Sequence, residues 1–181
     1  MHERYLNTKL DFLEQGISQV AIVVEDLEKA VENYWKIFGI GPWCFYTYGK
    51  PIVKQMTYHG ESTEYRMRIA LSRIGPLRIE LIEPIEGDTV YADFVEKHGY
   101  GVHHFGLVVE DTDAKIEEAA SAGIKMIQDG SGFGKRGDGH YAYLDTEDMI
   151  GVTLEFIELP NERIRPEKIY PEEMQENRID V

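Results

Sequence analysis

Near the beginning of the chain, a short continuous run of apolar residues gives way to apolar residues at the spacing of a helix. Residues 18–24 read SQVAIVV, a short apolar run that is typical of a β-strand. Apolar residues then recur at helical spacing from Leu27 to Phe38, after Asp26, a suitable N-cap, and before Gly39, which ends the pattern. This pattern predicts a strand that is followed directly by a helix.

The same succession returns in the second half of the chain. Residues 103–109 read HHFGLVV, and a helical stretch follows that is capped by Asp111 or Thr112 and ends at Gly123. At an offset of 85 residues the two halves share identical residues at Val23, Val24, Glu25, Asp26 and Glu32. A repeat of this kind decides the architecture, because each copy builds the same unit.

Each half also closes on a similar strand. Residues 77–83 read LRIELIE and resemble residues 152–158, VTLEFIE, so that Glu80 matches Glu155. Breaks that contain glycine or proline delimit further strands, at about 42–48, 51–58 and 65–73 in the first half and 124–130 and 139–146 in the second. The predicted unit is a strand, a helix and roughly three strands, used twice, which gives an α+β fold with the helices outside the sheets.

These units divide the chain into five segments. They are an N-terminal extension (1–15), a first module (16–84), a linker with a short helix near 89–98 (85–101), a second module (102–160) and a C-terminal tail (161–181). The tail is rich in proline, glutamate and arginine. We therefore expect it to form an exposed arm or to clasp a partner.

Composition narrows the class of protein. The 181 residues carry a formal charge of −14, from 19 basic and 33 acidic residues, which opposes binding to nucleic acid or to anionic membranes. No apolar run reaches the ~18–20 residues of a membrane helix, and the first residues lack the apolar centre of a signal peptide. The single cysteine, Cys44, excludes an intramolecular disulfide framework. These features favour a cytoplasmic protein that acts on a small molecule.

The candidate chemistry comes from four polar residues in apolar strands. Gln19 and His104 match at the offset of 85, and Glu80 and Glu155 each interrupt an apolar strand, where a carboxylate is costly unless it is paired or binds a metal. A pseudo-twofold pairing of the modules would bring the four together. One imidazole, one amide oxygen and two carboxylates suit a divalent ion such as Co, Ni, Mn, Zn or Mg. His103 should point to the opposite face of its strand and not bind the ion.

Residues 16–160 resemble the vicinal oxygen chelate superfamily, which includes glyoxalase I, methylmalonyl-CoA epimerase, extradiol dioxygenases and bleomycin-type resistance proteins. The resemblance is carried by the module openings SQVAIVVEDLEKAVENYWKIFGIGPW and HHFGLVVEDTDAKIEEAASAGI. It implies two paired βαβββ modules that form a curled mixed sheet, a cup around a metal. The family's ligand positions fall on Gln19, Glu80, His104 and Glu155, and a homodimer is the usual assembly.

Residues 64–84, EYRMRIALSRIGPLRIELIEP, are most similar to methylmalonyl-CoA epimerase. That resemblance implies that Glu64 abstracts the proton, with Glu155 or a neighbouring group on the other face of the substrate. Gln19 departs from the pattern, because the epimerases have histidine there and one type of glyoxalase I has glutamine.

A metal-dependent enzyme that removes a proton α to a carbonyl is therefore expected. The first candidate is an epimerase or racemase, with an acyl-CoA such as methylmalonyl-CoA as substrate. The alternatives are a glyoxalase I-type reaction on a glutathione hemithioacetal, which Gln19 favours, and a racemase of a small uncharged α-carbonyl compound, which the net charge favours. A ligand-sequestering protein and an extradiol dioxygenase are disfavoured, the latter because only His104 stands at the ligand positions.

The predicted substrate contacts lie in the first module. The aromatic residues of PWCFYTY (42–48), namely Trp43, Phe45 and Tyr46, and also Tyr58, should wall the pocket. Arg66, with Lys50, Lys54 or Arg73, should compensate the charge of a CoA ester. The glycine-rich residues 130–139 lack the spacing of a phosphate-binding loop and should form a hinge or lid.

Overall fold

One mixed sheet dominates the computed structural model, which describes residues 9–14 and 16–174. Its strands are β1 (Gln19–Val23), β2 (Trp43–Tyr48), β3 (Gln55–Tyr58), β4 (Glu61–Ser62), β5 (Arg66–Ile74), β6 (Leu77–Glu86), β7 (Gly101–Val108), β8 (Met126–Phe133), β9 (Gly139–Leu144), β10 (Thr153–Glu158) and β11 (Lys168–Tyr170). The helices are α1 (Leu27–Phe38), α2 (Val90–His98), α3 (Thr112–Ser121) and α4 (Glu147–Ile150), and a 3₁₀ turn follows at Glu172–Met174.

The order of the strands shows the repeat. It runs β11-β2-β5-β6-β1-β7-β10-β9-β8-β3-β4. β1 is parallel to β6, β7 is parallel to β10, and β1 and β7 pair antiparallel at the centre. The block β2-β5-β6-β1 is thus repeated as β8-β9-β10-β7, and the predicted α+β fold with a curled mixed sheet is confirmed.

The helices that follow β1 and β7 cover the outer face of the sheet. Asp26 accepts a hydrogen bond from the Lys29 backbone N–H at the start of α1, and Asp111 does the same for Ala114 at the start of α3. α1 packs Leu27 and Val31 against the outer side chains of the first module. The inner face forms the concave side of the cup, and α2 packs against part of it through Val90 and Tyr91.

The hairpin β3–β4 departs from the predicted module. A strand was expected over 51–58, but residues 49–54 form a turn in which the Val53 N–H bonds to the Gly49 carbonyl, and the strand begins only at Gln55. β3 pairs with β8 of the second module, with Gln55 opposite Ser131. The hairpin therefore leaves its own module and extends the opposite edge of the sheet.

The C-terminal tail adds a strand to its own chain. β11 pairs antiparallel with β2, with Ile169 opposite Cys44. The expectation of an exposed arm is therefore wrong for Lys168–Tyr170, because the unpaired edge of β2 offers backbone groups that β11 satisfies. Contact of the tail with a partner stays a prediction. Residues 175–181 lie outside the described part. No helix in the described part is long and apolar enough to cross a membrane.

Candidate metal centre and substrate cavity

Four side chains from four neighbouring strands meet on the inner face. Gln19 lies on β1, Glu80 on β6, His104 on β7 and Glu155 on β10. Ala21 is the register partner of both Glu80 and His104, and Gly106 is the partner of both Gln19 and Glu155. All four side chains are buried, with His104 fully inaccessible. We call them the ligand cluster, and one chain supplies all of it.

The polar atoms of the ligand cluster converge on one point. Gln19 Nε2 donates to Glu80 Oε2 at 3.0 Å and to Glu155 Oε2 at 3.1 Å. His104 Nε2 lies 3.0 Å from Glu155 Oε2 and 3.5 Å from Glu80 Oε2. The ligand atoms of Glu80, His104 and Glu155 all lie within 4.8 Å of one another. This spacing allows one ion to contact all three.

The electrostatics of the cluster also suit a cation. Burial raises the pKa of Glu80, and the nearby Glu155 charge raises it further, against hydrogen bonding by His104. Burial lowers the pKa of His104, but the negative charges of Glu155 and Glu80 outweigh it and raise this pKa to about 9. Without an ion, the cluster therefore holds protons to offset its two carboxylates. A divalent cation would neutralise them directly, and metal binding would release those protons.

Gln19 adds a fourth ligand atom to the cluster when the oxygen and nitrogen of its side-chain amide are exchanged. Rotation of the amide by 180° exchanges Nε2 with Oε1 and presents an oxygen atom to the position that both carboxylates face. The cluster would then offer one nitrogen and three oxygen atoms. Such a mixture suits divalent ions of hard or borderline character, and the four residues fit a metal ion of this kind.

Gly106 leaves the space that the cluster needs. A Cβ at this position would lie 2.9 Å from Gln19 Cβ, 2.7 Å from Ile157 Cδ1 and 3.2 Å from Glu155 Oε2. Each of these distances is shorter than an ordinary carbon contact. The absence of a side chain at Gly106 therefore lets two cluster residues approach from the adjacent strands.

His103 does not turn to the opposite face, contrary to the alternation rule. The β1–β7 register shifts between Ala21, which pairs with His104, and Ile22, which pairs with Val102. His103 therefore has no partner on β1 and is the extra residue of a β-bulge. Its Nδ1 lies 2.9 Å from Nδ1 of His104, and its ring packs against Tyr91 and Phe94. Burial lowers the pKa of His103 well below its usual value, and the neighbouring His104 lowers it further. His103 is thus a neutral partner of His104, outside the group of ligand atoms.

A cavity lies directly beside the ligand cluster. It encloses about 630 Å³, including the part that is open to solvent, and Gln19, Glu80 and Glu155 form part of its wall. Its other walls are aliphatic residues of β5 and β10 and a set of aromatic residues: Tyr46, Tyr48, Phe133, Tyr141 and Tyr143. Burial raises the pKa of Tyr141 and Tyr143 well above the usual value, so both hydroxyls stay protonated.

The segment between β10 and β11 crosses this cavity, and we call residues 159–167 the strap. The backbone N–H of Lys135 bonds to the Glu162 carbonyl at 2.8 Å, at the β8–β9 turn. At the other end, Glu167 accepts hydrogen bonds from the Thr47 backbone N–H and hydroxyl. Arg163 lies between these anchors and lines the cavity. The glycine-rich residues 130–139 contribute the end of β8 and its turn, of which Phe133 and Gly134 reach the cavity wall.

Strand alternation separates the aromatic residues of β2. Tyr46 lines the cavity, as does Tyr48. Trp43 and Phe45 face the other side, where they pack under α1, and Trp43 Nε1 donates to the Ile40 carbonyl at 2.6 Å. Both were expected in the pocket, and that expectation is wrong because successive side chains of a strand point to opposite faces.

Two further expected contacts lie away from the cavity. The Tyr58 hydroxyl, on the hairpin β3–β4, donates to Asp93 of α2 at 2.5 Å. The exposed Arg66 forms an ion pair with Glu86 at 3.3 Å. Neither side chain lines the cavity. Tyr58 lies away from the cavity because its hairpin pairs with β8 of the second module. Arg66 lies away from it because it pairs with Glu86 at the exposed end of β5.

Glu64 also lies outside the cavity. Its side chain is 74% exposed, and its carboxylate lies 3.3 Å from Lys50 Nζ. It stands between β4 and β5, at the base of the hairpin that joins the other module. The structure therefore brings Glu155 of the two expected catalytic carboxylates to the cavity and leaves Glu64 at the surface.

Two arginines also line the cavity, Arg78 and Arg163. In the sequence, Arg78 belongs to a loose basic group with Arg66, Arg68 and Arg73 that could bind an anionic group of a substrate. It stands two residues before Glu80, on the same face of β6. Both residues line the same cavity, where burial lowers the pKa of Arg78 and the positive charge of Arg163 lowers it further. Arg163 lies in a segment without periodicity, so no local signal pointed to it.

Comparisons with known proteins agree with this fold. Methylmalonyl-CoA epimerase of Homo sapiens is 25% identical over 140 residues, which cover 77% of this chain and 71% of that protein. Among solved structures, a hypothetical protein from Bacillus halodurans C-125 has a TM-score of 0.56 at 24% identity, covering 82% of this chain and 97% of that chain. A methylmalonyl-CoA epimerase variant from Streptomyces coelicolor, in complex with 2-nitronate-propionyl-CoA, has a TM-score of 0.55 at 23% identity. The match covers 78% of this chain and 95% of that chain.

The family comparison covers the larger part of the chain. Residues 18–143 match the family model described as Glyoxalase/Bleomycin resistance protein/Dioxygenase superfamily. The matched stretch contains both module openings and three of the four residues of the ligand cluster. The chain belongs to the glyoxalase/bleomycin resistance protein/dioxygenase superfamily.

Proposed function

We propose that this protein is a metal-dependent epimerase or racemase that abstracts a proton α to a carbonyl. The observation that carries the proposal is the position of the ligand cluster, whose Gln19, Glu80 and Glu155 form one wall of an otherwise largely apolar cavity. A divalent ion held there would act as a Lewis acid and make the α-proton of a bound carbonyl compound more acidic. The similarity to methylmalonyl-CoA epimerases supports this reaction type.

Glu155 is the residue we assign to proton abstraction. It is a cluster carboxylate that also faces the cavity, and only 4% of the residue is exposed to solvent. A carboxylate shielded in this way has few competing water molecules and stays close to the α-carbon of a substrate beside it. Glu80 lies on the same wall and supplies a second carboxylate. Glu64 has no part in this assignment, because its side chain is exposed at the surface.

The cavity walls position the substrate and limit the access of water. The aromatic side chains Tyr46, Tyr48 and Phe133 line it together with aliphatic side chains of β5. The strap adds a cover that is fixed at both ends. A substrate with an apolar body would displace water from these walls, and its carbonyl would then face the ligand cluster.

Exchange of the α-proton with solvent tests the proposal. The protein loaded with Co²⁺ is incubated with methylmalonyl-CoA in D₂O, and deuterium at the α-carbon is measured by mass spectrometry. We expect metal-dependent exchange that falls by about 100-fold or more in Glu155→Gln, on the scale of one general base. Metal content is measured in parallel, to separate loss of the base from loss of the ion. Absence of exchange with the ion bound would reject this substrate.

A second candidate is a glyoxalase I-type isomerisation of a glutathione hemithioacetal. Gln19 favours it, because its side chain takes part in the ligand cluster. The reaction uses the same proton abstraction but returns the proton to the adjacent carbon. Formation of the thioester from methylglyoxal and glutathione, without exchange on methylmalonyl-CoA, would select this candidate. Tight binding of either compound without turnover would instead indicate a ligand-sequestering protein.

A further inference from the structure

Among the described residues, Arg78 is a buried cation that has no carboxylate at contact distance. Only 5% of the residue is exposed, and it lines the cavity beside Glu80. Its Nε atom has no hydrogen-bond partner among the described residues, and no ion pair joins Arg78 to a carboxylate in that part of the chain. A buried guanidinium in this state is unfavourable unless a ligand supplies the missing acceptor.

Arg163 brings a second positive charge to the same place. It belongs to the strap, lines the cavity, and acts electrostatically on Arg78, Tyr46 and Tyr48. No carboxylate forms an ion pair with it among residues 9–14 and 16–174. The anchors at Glu162 and Glu167 hold the strap on either side of Arg163, so its side chain is directed to the cavity by fixed backbone.

With a divalent ion in the ligand cluster, the carboxylates of the cavity would no longer compensate these two arginines. Glu80 and Glu155 act electrostatically on Arg78, but their two negative charges would then be balanced by the ion. The tyrosines of the wall stay neutral, because burial raises their pKa values. A chain with a net charge of −14 thus presents a positive cavity, a local field that attracts anions.

We propose that Arg78 and Arg163 bind a carboxylate of the substrate and that the substrates are carboxylic acids with a small apolar body. The planar fork of a guanidinium matches a carboxylate, which accepts two parallel hydrogen bonds. The apolar body would lie on Tyr48 and the aliphatic residues of β5, and the carbonyl would face the ligand cluster. This placement of the carbonyl rests on the proposed function, whereas the carboxylate site does not. An uncharged carbonyl compound would leave both arginines unpaired.

Calorimetric titration tests the carboxylate site without turnover. The protein as purified, with its metal content measured, is titrated with 4-methylpentanoate and with the neutral isostere 4-methylpentanamide. We expect the acid to bind about 10-fold or more tightly than the amide, since charge-assisted hydrogen bonds are lost with the amide. Arg78→Met and Arg163→Gln should each weaken binding of the acid by about 10-fold or more. Arg165→Gln, an exposed arginine of the same strap, is the matched control and should bind as the wild type.

Three outcomes would overturn the proposal. They are equal binding of acid and amide, undiminished binding of the acid in both cavity variants, and no binding of the acid to the wild type. A repeat after chelation separates the arginines from a metal ion, because binding that disappears with the ion and not with the arginines would place the carboxylate on the ion. Tighter, arginine-dependent binding of 4-methylpentyl phosphate would assign the site to phosphate esters instead.

The same variants separate this inference from the proposed function. If the acid binds through the arginines but no carboxylate substrate exchanges its α-proton, the function fails and the inference stands. If α-proton exchange proceeds in Arg78→Met and Arg163→Gln with unchanged kcat/KM, the inference fails and the function stands.

Discussion

The Nδ1 atoms of His103 and His104 lie 2.9 Å apart, although the two residues are consecutive in a β-strand. The bulge in β7 places both rings on the inner side. His104 directs its Nε2 to the carboxylates of the cluster, and His103 contacts the opposite nitrogen. The neutral His103 can accept the Nδ1 proton of His104, which leaves the lone pair of His104 Nε2 for an ion.

Replacement of His103 should therefore weaken metal binding without removing a ligand. We expect His103→Phe to lower the affinity for Co²⁺ or Zn²⁺ by about 10- to 100-fold, the usual effect of losing a partner behind a metal-bound histidine. Competition with a chromogenic chelator measures this affinity. His103→Asn, which keeps an acceptor, should recover part of it. Equal losses in the two variants would indicate a packing role instead.

Removal of His104 should abolish stoichiometric metal binding. The side chain is completely buried and supplies the one nitrogen atom of the cluster, so His104→Ala leaves two facing carboxylates and an amide. Elemental analysis of the purified variant measures the metal content. His98→Ala, which removes a partly exposed histidine paired with Glu147, is the control and should keep its metal. Full metal occupancy in His104→Ala would refute the four-residue cluster.

Gly106→Ala should damage the cluster through sterics alone. The added Cβ would stand 2.9 Å from Gln19 Cβ and 3.2 Å from Glu155 Oε2, so both strands must shift. We expect a loss of about 1–3 kcal/mol in the free energy of unfolding, together with weaker metal binding. Gly139→Ala, which crowds the ring of Phe133, is a control for destabilisation away from the cluster. Chemical denaturation and the chelator assay together would show whether only Gly106→Ala loses affinity.

Glu64→Gln and Glu155→Gln should differ sharply in the rate of α-proton exchange. The exposed ion pair of Glu64 with Lys50 contributes little, ~0–1 kcal/mol, so α-proton exchange should be nearly unchanged in Glu64→Gln. Exchange should be lost in Glu155→Gln, whose carboxylate faces the cavity. Mass spectrometry in D₂O compares the two variants at equal metal content. A large loss in Glu64→Gln would mean that the hairpin β3–β4 moves to the cavity during the reaction.

The ion pair between Glu28 and Lys168, which ties β11 to the start of α1, should weaken in acid. Burial raises the pKa of Glu28, but hydrogen bonds and charge from Lys168 and Arg68 outweigh this and lower it below the ordinary 4.5. Because the folded-state pKa is depressed, Glu28 stabilises the fold above the ordinary value, and this contribution is lost as the pH falls through the lowered pKa. Glu28→Gln should therefore unfold more easily than the wild type at pH 7. The difference should vanish in the acidic range, as thermal unfolding across pH can show.

The sequence by itself predicted the repeat and the residues that meet at its centre. The strand period and the helix period recur in both halves, and a repeat folds each copy in the same way, so β1 and β7 could be matched from their residues alone. The repeat also matched Gln19 with His104 and Glu80 with Glu155, which predicted that the four side chains meet where the two modules pair. Alternation along a strand, applied to β2, would have separated Tyr46 from Trp43 and Phe45. These features depend on local periodicity, which a sequence displays directly.

Other features were decided only by the tertiary structure. The bulge that turns His103 inward arises from the register between β1 and β7. The exposure of Glu64 follows from a hairpin that pairs with the other module, and the position of Arg163 follows from the pairing of β11 with β2. Each of these depends on backbone hydrogen bonds between distant segments, for which no local period exists. Such pairings are selected by the free energy of the whole sheet, because a free strand edge is satisfied by whichever segment of the chain can reach it.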